Sequence, residues 1–169
     1  MTNPKIWLSS PHMGGTEEKY VKEAFDTNWV APLGPNVNLF EATIAESLSK
    51  SITYHTAALT SGTAALHLAL RMLNVEAGDL VMVQSFTFCG TTNPVNYQGA
   101  EIVFIDSEPD TWNMCPEALA HAMADYKGKK VKAIMPVHLY GMPAKIDQIQ
   151  AIADQYQVPV IEDAAEALG

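Results

Sequence analysis

The sequence predicts a three-layer α/β/α sandwich built on a mainly parallel sheet, and three observations carry that prediction. Short apolar runs recur from His55 onward, at "HTAAL", "LVMVQ", "EIVFID", "VKAIMPV" and "VPVIED". Stretches with helical spacing separate them, clearest in "GTAALHLALRML", "PEALAHAMADY" and "IDQIQAIADQY". The apolar residues in them are continuous rather than alternating, which is the pattern of strands covered on both faces. Right-handed crossovers then bring every strand C-terminus to one edge, where α/β proteins bind ligands. Thr60, Ser85, Asp106, His138 and Asp163 each sit just past a run and are expected along that rim.

The residues ahead of His55 read differently. "TEEKYVKEAFDTN" is a helix, with Thr16 as N-cap and Glu17 and Glu18 in the first turn, where the helix dipole favours them. "WVAPLGP" is a rigid loop rich in Pro and Gly. "NVNLFEATIAESLSK" places Val37, Phe40, Ile44 and Leu48 at helical spacing. The chain therefore divides into an N-terminal helical segment with its loop over residues 1–50 and a sheet-containing domain over 51–169.

Composition narrows the function. Of 169 residues, 48% are hydrophobic and 17% charged, so the chain is globular rather than disordered. The formal net charge is −9 and Arg71 is the single arginine, which argues against nucleic acid or an anionic membrane as partner. An anionic small molecule stays open, because helix termini bind phosphate through backbone amides. Cys89 and Cys115 have neither metal-ligand nor CxxC spacing, the five histidines show none either, and no metal is expected. His67, in the apolar helix, is expected as a hydrogen-bonded core residue. No window approaches a membrane span and the start is unlike a signal peptide, so the expected location is the cytoplasm. "HMGG" lacks the GK[ST] of a P-loop, and no GxGxxG occurs.

Three places on the predicted rim carry chemistry. In "LTSGTAALHLAL", Ser61, Gly62 and Thr63 open a helix that is apolar almost all round and hence buried. Its first amides lack intrahelical partners, Gly62 allows close approach and two hydroxyls flank it, so a phosphate fits; equally, Ser61 reads as an ordinary N-cap. In "QSFTFCGTTNP", Phe86 and Phe88 follow a strand and precede a Thr-rich helix start; each is either a core ring or a surface for stacking a planar ligand. Asp163 ends a hydrophobic run, as a turn cap or as the partner of a cation. One ligand satisfies all three places: a flat cationic heteroaromatic with a phosphate arm, the shape of pyridoxal phosphate.

The strings "NWVAPLGPNVNLFE", "ALTSGTAALHLAL", "GDLVMVQSFTF", "VHLYGMPAKID" and "VIEDAAEALG", in this order, resemble the N-terminal part of the DegT/DnrJ/StrS-type sugar-nucleotide aminotransferases. The resemblance implies the large domain of a fold type I pyridoxal-phosphate transferase, truncated, with the last strands and the small C-terminal domain absent. It places Ser61, Gly62 and Thr63 in the phosphate cup, Phe88 over the cofactor ring, Asp163 at the pyridine nitrogen as the catalytic acid, and Glu166 near the phenolic oxygen. Trp29, Pro32 and Gly34 resemble the family's N-terminal substrate-side loop. The implied reaction passes an amino group, with glutamate as donor, to a nucleotide-linked keto sugar of the 4-keto-6-deoxy type, in surface polysaccharide synthesis, by a homodimer. A sugar dehydratase using the same cofactor and a non-catalytic regulatory relative are the alternatives.

The family's Schiff-base lysine lies in a motif beyond Asp163 and has no counterpart here. Lys5, Lys19, Lys22, Lys50, Lys127, Lys129, Lys130, Lys132 and Lys145 all fall outside it. The chain alone is therefore expected to be inactive, and its sheet to keep an edge and apolar surface exposed.

Overall fold

The computed structural model describes residues 4–7, 10–48 and 51–167; Lys50 lies outside them. The chain divides into two compact units, Met1–Ala58 and Leu59–Gly169.

The first unit holds two helices, α1 (Glu17–Asp26) and α2 (Pro35–Leu48), and neither buries a residue. Thr16 occupies the N-cap position of α1, but its side chain makes no capping hydrogen bond. The Glu17 carboxylate turns back instead and accepts from the amides of Gly14 and Gly15, just ahead of the helix. The helix ends on Asn28 at φ 61°, with Trp29 N–H reaching back to Ala24 O at 2.8 Å, a Schellman closure. Gly34 is required next: it takes φ 153°, and a Cβ there would stand 3.1 Å from the Trp29 ring. On α2, Phe40 and Leu48 of the predicted stripe are exposed, and Val37 and Ile44 are half-buried.

The second unit is the predicted sandwich. Its order is α3 (Gly62–Met72), β1 (Leu80–Gln84), α4 (Cys89–Tyr97), β2 (Glu101–Ile105), α5 (Pro116–Asp125), β3 (Val131–Met135), a 3-10 turn over Leu139–Gly141, and α6 (Ile146–Tyr156). The three strands are parallel in the order β2-β1-β3, so β1, fully buried, is central. Alternation along β1 sends Val81 and Val83 to one face, against Leu66 and Leu70 of α3 and Val95 of α4. Met82 faces the other way, against Leu119 and Met123 of α5 and Ile149 and Ala153 of α6. Each of these large side chains contributes roughly 1.5–3 kcal/mol by leaving water.

Two predicted strands depart from expectation. "HTAAL" forms no ladder among the described residues; Glu41 captures its polar groups, accepting from the Thr56 hydroxyl and, at 2.7 Å, from Ala58 N–H. "VPVIED" follows β3 but keeps only two parallel bridges, Val160 to Ile134 and Asp163 to Val137. Ile134 N–H donates to Pro159 O, Ile161 N–H to Ile134 O, Asp163 N–H to Pro136 O and His138 N–H to Asp163 O. The missing rung is the one that an N–H on residue 136 would donate to Ile161 O. Residue 136 is proline and has no such donor. A third departure concerns α3, which buries only Leu66 and Leu70 and leaves Leu68 and Met72 exposed. His67 is accordingly half-buried and packs edge-on against Tyr97, ring centroids 5.6 Å apart, with no hydrogen bond among the described residues.

The loop after β2 is clamped to the start of α6 by charge. Lys145 Nζ lies 2.7 Å from Glu108 Oε2 and 3.0 Å from Asp110 Oδ2, and Glu108 also accepts from the Thr111 amide and hydroxyl. The Lys145 ammonium first, and Thr111 second, hold the Glu108 carboxyl at about 2 against an ordinary 4.5. A carboxyl depressed on folding stabilises fully above its unfolded value and loses that contribution as pH falls through its folded one. Urea unfolding of wild type and Glu108→Gln should therefore differ most above pH 4.5, and the gap should close toward pH 2.

Candidate functional site

The strand C-termini open on a cavity of 570 Å³, within the range of small-ligand sites. Four segments line it: the first turn of α3 (Gly62, Thr63, Leu66), the loop from β1 into α4 (Phe86 to Phe88, and Gly90), the segment after β3 (Val137, Leu139, Tyr140), and Asp163 with Ala165 and Glu166. This is the crevice where the winding reverses, α4 covering one face of the sheet and α5 and α6 the other.

The first turn of α3 presents bare donors. Ser61 is the N-cap, its Oγ accepting from Ala64 N–H at 3.1 Å, and it lies outside the cavity lining. The amides of Gly62 and Thr63 have no acceptor among the described residues. Gly62 has ordinary helical geometry, and a Cβ on it would meet no protein atom within 4 Å. Neither backbone strain nor protein packing calls for glycine there, whereas close approach of an anion to the amides does. Gly90 is the converse case. A Cβ on it would stand 3.0 Å from Phe88 Cδ1 and 3.1 Å from Thr63 Oγ1, so glycine lets the ring and the hydroxyl share one corner.

Phe88 caps α4 with its backbone and leaves its ring 77% exposed on the cavity. Asp163, half-buried, is held on several sides. Its backbone pairs with Pro136 O and His138 N–H, Ala165 N–H donates to Oδ1 at 3.3 Å, and Thr91 Oγ1 donates to Oδ2 at 2.6 Å. Thr91, fully buried, spends its only proton on that carboxylate, so the Thr87 hydroxyl 2.7 Å away must donate to it. Sequence reasoning passed over both threonines, although their i, i+4 spacing at the Thr-rich start of α4 was the available signal.

Glu166 is exposed at the rim and accepts from the backbone N–H of Tyr140. Tyr140 takes φ 53°, the left-handed region that an L-residue holds only when its surroundings fix it. His138 is buried and lies outside the cavity lining: Ala144 N–H donates to Nδ1 at 3.0 Å, so the ring proton sits on Nε2 and donates to Glu162 at 2.8 Å. No lysine lines the cavity among the described residues, and Lys130 and Lys145 are engaged by Asp79 and by the Glu108 cluster. No group of His, Cys, Asp or Glu among the described residues is arranged to hold a metal ion. No helix among them is long and apolar enough to cross a membrane.

A parallel α/β sandwich with open helix amides, an exposed ring and a fixed carboxylate around one crevice belongs to the class that holds a phosphorylated aromatic cofactor. The sequence profile of the DegT/DnrJ/EryC1/StrS aminotransferases matches residues 11–169, and the chain belongs to that family. It is 56% identical over 98% of its length to EpsN of Bacillus subtilis (strain 168), named as a pyridoxal phosphate-dependent aminotransferase, and covers 42% of that protein. It is 39% identical to the GDP-perosamine synthase of Caulobacter vibrioides, covering 98% of this chain and 43% of that one. Among solved structures, the aminotransferase from Psychrobacter cryohalolentis superposes with a TM-score of 0.82 at 36% identity, over 94% of this chain and 39% of that one. The chain thus spans about two-fifths of the length of the relatives it matches. The family is pyridoxal phosphate-dependent, and the residues present fit that group: an unfilled glycine cradle at free amides, a bare ring, and an immobilised carboxylate.

Proposed function

We propose that this chain is the cofactor-binding part of an enzyme that transfers an amino group, from glutamate, to a nucleotide-linked keto sugar of the 4-keto-6-deoxy type. We place that reaction in surface polysaccharide synthesis and assign it to a homodimer, with residues 1–50 as a substrate-side segment and 51–169 as part of the cofactor domain. The likeness to GDP-perosamine synthase supports the substrate class. The observation that carries the cofactor reading is that Gly62, Thr63, Phe88 and Asp163 meet in one crevice.

Pyridoxal phosphate, when bound, supplies a ring that takes up the electron pair of a breaking bond. The chain's residues prepare for it. Gly62 and Thr63 amides, at the positive end of α3, bind the phosphate, and the Thr63 hydroxyl adds a donor. Phe88 offers its face and fixes the ring plane. Asp163, kept in place by Thr91, holds a proton on the pyridine nitrogen by pairing an anion with a cation. Glu166, tied to Tyr140 at the rim, is assigned to the ring's phenolic oxygen, which it would meet when the cofactor is bound.

Titrating the 15N-labelled chain with pyridoxal 5'-phosphate tests this. The Gly62 and Thr63 amides should shift together with Ala165, and inorganic phosphate should shift the first two alone. Saturable binding that leaves Gly62 and Thr63 unmoved would overturn the assignment.

A further inference from the structure

The central strand ends on a polar residue. Gln84 closes the run "LVMVQ" with its side chain fully buried, and Asn113, in the loop after β2, is buried equally. Gln84 Oε1 accepts from Met114 N–H at 2.8 Å and Val137 N–H at 3.2 Å. Its Nε2 donates to Phe86 O at 2.9 Å and to Asn113 Oδ1 at 3.2 Å. Asn113 Oδ1 also accepts from Leu139 N–H at 3.0 Å, and its Nδ2 donates to Met142 O at 2.7 Å. The amide orientations follow from chemistry, since backbone N–H groups must meet the oxygens and backbone carbonyls the nitrogens.

These bonds join the three loops that follow β1, β2 and β3. Each loop contributes one ring to a cluster of Phe86, Trp112 and Tyr140. Phe86 meets the other two, with ring centroids 6.1 Å from Trp112 and 6.5 Å from Tyr140. Phe86, Val137, Leu139 and Tyr140 line the cavity, whereas Gln84 and Asn113 do not. Resting on the cofactor reading above, we propose that Gln84 and Asn113 are positioning residues: two buried amides that set the loop-built wall of the cavity and so decide how a pyridine ring sits in it. The phosphate cup on α3 takes no bond from this network, so the pair governs the ring and leaves the phosphate alone.

The separation is measurable with the chain as it stands, using pyridoxal 5'-phosphate and inorganic phosphate as probes. Asn113→Leu should weaken pyridoxal 5'-phosphate by about fivefold or more while holding inorganic phosphate within about twofold of wild type. Asn113→Asp keeps both acceptor roles but turns an oxygen toward Met142 O, so it should restore the loss only at acidic pH, where a protonated carboxyl can donate there. Leu119→Ala, a core truncation on α5, should lower the melting temperature and leave both affinities in place. Equal loss of both probes in Asn113→Leu, unchanged pyridoxal 5'-phosphate binding there, or a matching loss in Leu119→Ala would overturn the proposal. Should Asn113→Leu fail to fold, hydrogen exchange in the wild type decides. The amides of Met114, Val137 and Leu139 should slow together with pyridoxal 5'-phosphate and not with phosphate, and indifference to both sinks the idea. A wild-type chain that binds phosphate at Gly62 but no pyridoxal 5'-phosphate defeats the cofactor reading itself, and the pair's role with it.

Discussion

Gly62→Asp is expected to make the chain more stable and, at the same time, unable to hold the cofactor's phosphate. The two effects have one cause. The first turn of α3 carries free amides and the positive end of the helix dipole, so a carboxylate placed there is favourable by roughly 0.3–1 kcal/mol. Replacing glycine in a helix adds a few tenths more. Nothing in the protein obstructs the new side chain, since a Cβ at Gly62 meets no atom within 4 Å. The same carboxylate then occupies the place that a phosphate needs. Two unit charges about 4 Å apart near a protein surface repel by roughly 4 kcal/mol at an effective dielectric of 20, and lost amide contacts add to that. Affinity for pyridoxal 5'-phosphate should fall by more than about 100-fold, which corresponds to only ~2.8 kcal/mol. Thermal unfolding and a titration on one preparation check both signs. A variant that is destabilised, or that binds as wild type does, would show that the α3 terminus is an ordinary capped helix end.

What the sequence made legible follows from how local each signal is. The strands β1 and β3 announce themselves because a strand covered on both faces is apolar along most of its length, as Leu80 to Val83 and Ala133 to Met135 are; β2 is apolar from Ile102 to Ile105, although only Ile105 is buried. The crevice was legible too, because crossover handedness puts strand ends on one side whatever the details. "HTAAL" and "VPVIED" have the same composition, yet a ladder needs a partner's donors. Glu41 withdraws the one, and Pro136 breaks the other at a single rung. Neither event shows in a hydropathy pattern, although Pro136 was readable as a missing donor. Gly62, Thr63, Phe88 and Asp163 could be named because residue type and strand-end position already limit what they do. Thr91 could not: its significance is a bond to a residue 72 positions away. Gln84 and Asn113 are of the same kind, polar residues whose meaning lies in loops that only the fold assembles.

Thr91→Val should uncouple the Asp163 carboxylate from α4 while leaving the fold in place. Valine fills the same volume but has no donor, so Asp163 Oδ2 loses its shortest bond and the Thr87 hydroxyl loses its acceptor. Hydrogen bonds to charged groups are worth about 1.5–3 kcal/mol. Asp163 is only half-buried, so water will replace part of this before any ligand binds, and the stability loss should stay near the lower end, about 1.5 kcal/mol. Water cannot restore the direction of the carboxylate. In the role proposed for it, Asp163 aims at the ring nitrogen of bound pyridoxal 5'-phosphate, and a carboxylate free to rotate would pay an ordering cost on binding that Thr91 has already met in the wild type. Affinity should therefore fall by about tenfold, equal to ~1.4 kcal/mol, with inorganic phosphate unaffected. Thr91→Ser, which keeps the hydroxyl and loses only the methyl, should recover most of the affinity even if it is no more stable than the valine variant. That inversion distinguishes a positioning role from mere packing: if serine and valine lose affinity in proportion to their melting temperatures, Thr91 is a core residue and Asp163 is aimed by the backbone alone.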